Sequence, residues 1–165
     1  MTYKWDHAMY DVLKASTDSP DSPDPSTQNA AALYNDDASH VAGPFLNAFP
    51  DGVRSTPERW ESRPDKYYFV EHAERAAIIG AARYGICTHG LTLVCPFFAC
   101  ADCARAILGA GIKRVVGLPL VNVNERWVDS CNTGNIILKE GGVEVITLDT
   151  YFGISVRRNG HDILL

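Results

Sequence analysis

Two short extended stretches followed by an alternation of helical and extended patterns through residues 72–148 predict an α/β protein: a three-layer α/β/α domain with a mixed five-stranded sheet. Two observations support that class. The chain has 165 residues, enough to bury one core without staples, and its 46% hydrophobic and 21% charged content sits near the globular average. An early hairpin supplies an antiparallel pair, and the later helical crossovers impose parallel pairing.

Taken in order, Trp5, Met9, Val12 and Leu13 recur at helical spacing and predict an amphipathic helix over residues 4–15. Residues 16–27 (STDSPDSPDPST) are rich in Pro, Asp and Ser without apolar periodicity and read as an extended arm. Residues 28–34 and 40–45 are two strands around the turn residues Asn35, Asp36 and Asp37. Residues 47–66 are irregular and read as a long loop with one turn of helix. Beyond it come a helix over 72–84, a strand over 91–95, a helix over 100–110 closed by Gly111, and a strand over 114–118. A last helix over 127–140 is closed by Gly141 and Gly142 and leads into a strand over 143–148, and residues 151–165 are a tail or a short strand. The whole chain, 1–165, reads as one domain.

Composition narrows the function. Fifteen Lys and Arg against twenty Asp and Glu give a net charge of −5, the wrong sign for a protein that holds nucleic acid by its phosphates, so a small-molecule partner is favoured over a polymer. Five cysteines, an odd count, and an N-terminus without an apolar leader point to a reducing cytoplasm. The longest stretch free of Asp, Glu, Lys and Arg, Tyr84 to Ala101, contains two Gly, a Pro, a His and three Cys, which reads as core and site and not as a membrane span.

The chemical signal is His72-Ala73-Glu74 followed, after a strand, by Cys100-Ala101-Asp102-Cys103. Both halves fall at helix starts. Cys100 and Cys103 share one side of a first turn, where the helix dipole favours thiolates. One imidazole and two thiolates suit a zinc ion, and three protein ligands leave a fourth tetrahedral position open for water. Two thiolates cancel the ionic charge, so a neighbouring base helps to activate that water, and Glu74 is placed to move its proton to a ring nitrogen and a leaving amine. His-x-Glu followed by Cys-x-x-Cys is the signature of zinc deaminases, with the glutamate outside the ligand set.

The wider sequence resembles the deoxycytidylate (dCMP) deaminases of the cytidine deaminase superfamily. Four blocks match in order: Ser22 to Gln28 (SPDPSTQ), Leu46 to Gly52 (LNAFPDG), Thr56 to Trp60 with Lys66-Tyr67-Tyr68 leading into the His72 motif, and Cys100 to Ile107 with Ala110-Gly111-Ile112. The resemblance implies a cytidine-deaminase-like fold of five strands with helices on both faces, one zinc per subunit held by His72, Cys100 and Cys103, and hydrolysis of dCMP to dUMP and ammonia with Glu74 as proton shuttle. It also implies a homo-oligomer, a nucleoside triphosphate effector, an Asn47 side chain on the sugar and an Ala73 backbone N–H facing the pyrimidine carbonyl. Ala99 stands where the family has Pro, and Ala30 and Ala48 stand where it has Gly. These departures bear on substrate more than on reaction type. The alternatives are a deaminase of another free nucleotide, nucleoside or base, and a non-catalytic zinc-stabilised regulatory subunit.

Other residues carry plainer readings. Cys87, Cys95 and Cys131 lack a partner at ligand spacing and read as buried small hydrophobes, and His7, His40, His89 and His161 as surface or packing residues. Arg54, Arg59, Arg63 and Lys66 are balanced by nearby carboxylates, yet a nucleotide phosphate needs a cation, so Arg54 and Lys66 are its candidate contacts; the resemblance to the deoxycytidylate deaminases implies that Ser26 and Thr27 touch a substrate or effector phosphate. Phe97 and Phe98 stack on a base or pack in the core.

Overall fold

The computed structural model describes residues 3–18, 24–97, 99–119 and 125–165. Helix α1 (Tyr3–Asp18) leads to strands β1 (Ala30–Tyr34) and β2 (His40–Leu46), short helices α2 (Pro57–Glu61) and α3 (Asp65–Phe69), helix α4 (Ala73–Arg83) and strand β3 (Thr92–Val94). Helix α5 (Ala101–Gly109), β4 (Arg114–Gly117), α6 (Glu125–Glu140), β5 (Glu144–Thr147), β6 (Ser155–Arg158) and β7 (His161–Leu164) complete the chain.

Five strands form one sheet in the order β2-β1-β3-β4-β5. β1 pairs antiparallel with both β2 and β3, whereas β3, β4 and β5 are parallel. The parallel register aligns Val94 with Val116 and Val116 with Ile146. Side chains alternate across the sheet and so divide the core in two. Ala31, Leu33, Leu93 and Val115 face α4, α5 and α6, meeting Ala77, Ile107 and Leu138. Ala30, Ala32, Val94 and Val116 face the opposite layer, where Trp5, Met9 and Leu13 of α1 pack with Val156 and Ile163.

That second layer corrects one expectation. Residues 151–165 are not a loose tail: β6 and β7 form an antiparallel hairpin whose apolar side completes the core beside α1. The turn between its strands places Asn159 at φ 53° and Gly160 at φ 82°, the pair of left-handed conformations that a two-residue hairpin turn demands and that Asn-Gly supplies.

The region 47–66 also holds more order than expected. Pro57 opens α2 at a position where a missing N–H costs nothing, and α2 buries Trp60. The Trp60 ring stacks on Phe49 at 4.0 Å between centroids, and Val70 closes this small separate cluster. A one-turn pattern carries too few apolar positions to announce such packing in the sequence. Among the described residues, no helix is long and apolar enough to cross a membrane.

Candidate metal centre and nucleotide pocket

His72 is the N-cap residue of α4 and Cys100 that of α5, and neither side chain caps its own helix. Both are thereby available to a site. The first amides of the two helices are satisfied from elsewhere: Ala73 N–H donates to Asn47 Oδ1 at 2.9 Å, and Ala101 N–H donates to Ser130 Oγ of α6 at 3.2 Å. Asn47 thus serves α4 as a borrowed cap. The Ala73 amide, expected to face a pyrimidine carbonyl, is instead occupied by this side chain.

The two helix starts bring His72, Cys100 and Cys103 together, with one donor atom from each all lying within 4.8 Å of one another. His72 Nδ1 is 3.6 Å from Cys100 Sγ and 3.5 Å from Cys103 Sγ. One imidazole nitrogen and two sulfurs at this separation fit a tetrahedral zinc that keeps a fourth position open. Beside them, Glu74 is buried in the first turn of α4, and its Oε2 atom has no hydrogen-bond partner. A buried carboxylate oxygen left without a partner is costly for a fold, and it is retained here next to the donor set.

The electrostatics of the cluster follow from burial and mutual contact. Burial, together with the nearby Cys100 sulfur, raises the Glu74 carboxyl above its ordinary value. For His72, burial works against the imidazolium, but the Cys100 thiol and the Glu74 carboxyl outweigh it and the net shift is upward. Cys100 accepts hydrogen bonds from Cys103 and His72 and is lowered to about 4 despite partial burial. Cys103, which donates to Cys100 and is itself buried, is pushed up.

A pocket opens from this cluster. His72, Glu74 and Cys100 form part of its lining, Trp127 and Cys131 of α6 another part, and Asn29, Asn47 and Phe97 a third. Trp127 meets the His72 ring edge-on at 5.6 Å and the Tyr67 ring at 5.8 Å. Ser26, Thr27 and Lys66 also line the pocket. Lys66 is buried on Trp60 and donates to Asp24 Oδ1 at 2.7 Å and to the Ser26 hydroxyl. The same Asp24 oxygen accepts the Ser26 and Thr27 amides at 2.9 and 3.1 Å, which shapes the end of the arm into a tight polar turn.

Several expectations need correcting. Arg54 is exposed outside the pocket, and its carbonyl accepts a hydrogen bond from Arg59. It is Arg63 from the same region that reaches the lining. Cys87 is exposed, whereas Cys95 and Cys131 are buried as expected. Phe97 is buried in the pocket wall, and Phe98 lies outside the described residues, as do Ser22 and Pro23 of the first matching block. The sequence reading missed Arg158 and Asn159 of the C-terminal hairpin, which line the pocket. The Asn159-Gly160 pair between two alternating stretches was the available signal.

Fold and site together define a class: an α/β/α domain built around a His/Cys/Cys metal centre with a buried glutamate at its side. The chain belongs to the family described as the cytidine and deoxycytidylate deaminase zinc-binding region, whose model matches residues 4–118, and the metal of that region is zinc. Among curated relatives, the deoxycytidylate deaminase of Enterobacteria phage T2 is 34% identical over 95 residues, covering 58% of this chain and 45% of that protein. The mouse deoxycytidylate deaminase is 30% identical over 129 residues, covering 74% of this chain and 68% of that protein. The matched part therefore spans less than half the length of the phage relative. Among solved structures, the dCMP deaminase of cyanophage S-TIM5 in complex with dCMP and dUMP is 25% identical with a TM-score of 0.64, covering 86% of this chain and 94% of that one. The five-stranded mixed sheet is that of a cytidine-deaminase-like fold.

Proposed function

We propose that this protein is a zinc-dependent deaminase that hydrolyses dCMP to dUMP and ammonia. The observation that carries the reading is the convergence of His72, Cys100 and Cys103 beside a buried Glu74 whose Oε2 lacks a partner. The names of the relatives and the dCMP and dUMP bound to the cyanophage enzyme support the choice of substrate.

His72, Cys100 and Cys103 hold the metal. Bound there, zinc supplies the Lewis acidity that makes a water a nucleophile at neutral pH. Glu74 takes a proton from the attacking water, delivers it to the pyrimidine N3, and passes a second proton to the departing amino group, so that water enters and ammonia leaves. A carboxyl raised by burial suits a group that must both accept and return a proton. Phe97 and Trp127 wall the base. Asn47 lines the pocket and, with Oδ1 committed to Ala73, has its amide N–H donors left to serve the sugar. Ser26, Thr27 and Lys66 provide polar surface for the phosphate.

The proposal treats residues 1–165 as one domain, which the shared packing of α1 with the C-terminal hairpin supports. It places the protein in the reducing cytoplasm, where five free cysteines leave two thiolates available to a metal. It also includes self-association and binding of a nucleoside triphosphate, to be tested by sedimentation with and without triphosphates. The decisive experiment is a dCMP assay beside metal analysis. Glu74→Gln should keep one zinc per chain and lose activity by about 100-fold to 10,000-fold. Absence of ammonia release from dCMP by the zinc-loaded protein, or full activity of Glu74→Gln, overturns the reading.

A further inference from the structure

The C-terminal hairpin lies beyond the residues matched by the family model, yet its turn enters the pocket of the metal centre. It is tied to the arm end by Gln28 N–H donating to the Arg157 carbonyl at 2.8 Å and by Arg157 N–H donating to Gln28 Oε1 at 2.8 Å. Gly160 N–H donates to the Ser26 carbonyl at 2.9 Å, and Asn159 N–H donates to Thr27 Oγ1 at 3.4 Å. The turn is therefore fixed against the Ser26–Thr27 segment by backbone geometry, with both segments in the lining of one pocket.

The charges arranged there are unusual for an acidic chain. Among the described residues the lining contains three cations, Arg63, Lys66 and Arg158, against two carboxylates, Asp24 and Glu74. Asp24 is already bonded to Lys66 and to the Ser26 and Thr27 amides, and Glu74 belongs to the metal centre. Arg158 is 7% exposed, with its guanidinium carbon over the Phe97 ring, 4.0 Å from the centroid. A guanidinium that rests over an aromatic ring in the lining of a pocket is a fixed, multi-donor cation of the kind that recognises a phosphate. Burial pulls the Arg158 pKa below its ordinary value, a cost that a bound dianion offsets.

We propose that the C-terminal hairpin presents Arg158 to the 5′-phosphate of the substrate, so that this residue makes the enzyme select a nucleoside monophosphate over the free nucleoside. The proposal rests on the deaminase reading for its substrate and adds the residue that sets the preference. Asn159, beside it in the left-handed turn, and the Ser26 and Thr27 hydroxyls complete the polar seat.

The test compares wild type with Arg158→Gln and Arg158→Lys, with Arg157→Gln as a control on the same hairpin, since Arg157 is half exposed and pairs with Asp162. The readout is the ratio of kcat/KM for dCMP to that for deoxycytidine. Loss of a charge-assisted contact should lower this ratio by about 10-fold to 100-fold in Arg158→Gln, mainly through KM for dCMP. Arg158→Lys should recover part of it, and Arg157→Gln should leave it unchanged. Calorimetry with dUMP and with inorganic phosphate gives a second readout that needs no turnover: both should bind wild type more tightly than Arg158→Gln by a similar factor.

If Arg158 only packs on Phe97, both substrates lose rate together, the ratio holds and phosphate affinity is unchanged, which overturns the proposal while dCMP deamination stands. If no cytosine compound is deaminated, the deaminase reading fails, and the phosphate titration alone decides the role of Arg158. Failure of the wild type to bind either dUMP or phosphate overturns the proposal outright.

Discussion

Glu74 shows how a single side chain can work against its fold. Its carboxyl is fully enclosed, raised by burial, and leaves Oε2 unsatisfied. A neutral amide of the same shape relieves the charge, so metal-free Glu74→Gln should unfold at a higher temperature than metal-free wild type, by about 1–3 kcal/mol of stability. Matched melting curves check this, and equal or lower stability of the variant counts against an unsatisfied charge at this position. The motif residues were legible because their spacing is local: three residues along one turn, and two across a helix start. Asn47 was legible as a pocket residue but not as the acceptor of the Ala73 amide, because that pairing spans 26 positions and exists only once β2 and α4 are packed. The same holds for Arg54 and Lys66. Both are basic residues of one irregular region, and only the packing of Lys66 on Trp60 decides which of them turns inward.

At the scale of elements, α6 positions the cysteine-bearing turn by close approach. A Cβ on Gly134 would lie 2.4 Å from the Ala99 carbonyl oxygen and 3.0 Å from the Cys100 carbonyl carbon. Backbone on both sides leaves little to give, so Gly134→Ala should displace Cys100 while keeping every donor atom in the sequence. Zinc affinity, measured by chelator competition, should fall about 10-fold to 100-fold, the usual scale for residues that orient metal ligands. Retained affinity would mean that the turn adapts. The long helices and the central strands were readable from periodicity, but boundaries moved: α1 extends to Asp18, and α4 and α5 begin one residue after the proposed ligands His72 and Cys100 instead of at them. The C-terminal hairpin was harder to read because its strands are four residues each, with Arg157, His161 and Asp162 exposed and the charged Arg158 at a buried position, which dilutes the apolar alternation.

Across the whole molecule, one charged network spans the sheet. Arg114 of β4 donates to Thr92 of β3, to Glu144 of β5 and to Asp36 in the turn joining β1 and β2, at 3.1, 2.6 and 2.8 Å. Asp36 also pairs with Lys113, and hydrogen bonds from Lys113 and Arg114 lower its carboxyl from 3.8 to about 2. A carboxyl lowered by folding stabilises the native state above its unfolded value, and that contribution disappears as pH falls from about 4 to about 2. Asp36→Asn should therefore flatten the acid limb of stability over that interval. Its effect at neutral pH should be small, because exposed pairs contribute little. Denaturant melts at stepped pH values test this, and a variant that follows the wild-type limb removes Asp36 from the account.

The borrowed caps on the two ligand-bearing helices have a kinetic consequence. With Asn47 holding the start of α4 and Ser130 that of α5, the positions of the donor atoms are set by contacts that do not involve the ion, so capture should not have to organise the chain. Loading should then proceed as a simple encounter whose rate rises in proportion to free zinc, with no slower step to follow. In Asn47→Ala or Ser130→Ala, by contrast, a second, concentration-independent phase should emerge in stopped-flow traces as the loosened helix start settles around the ion.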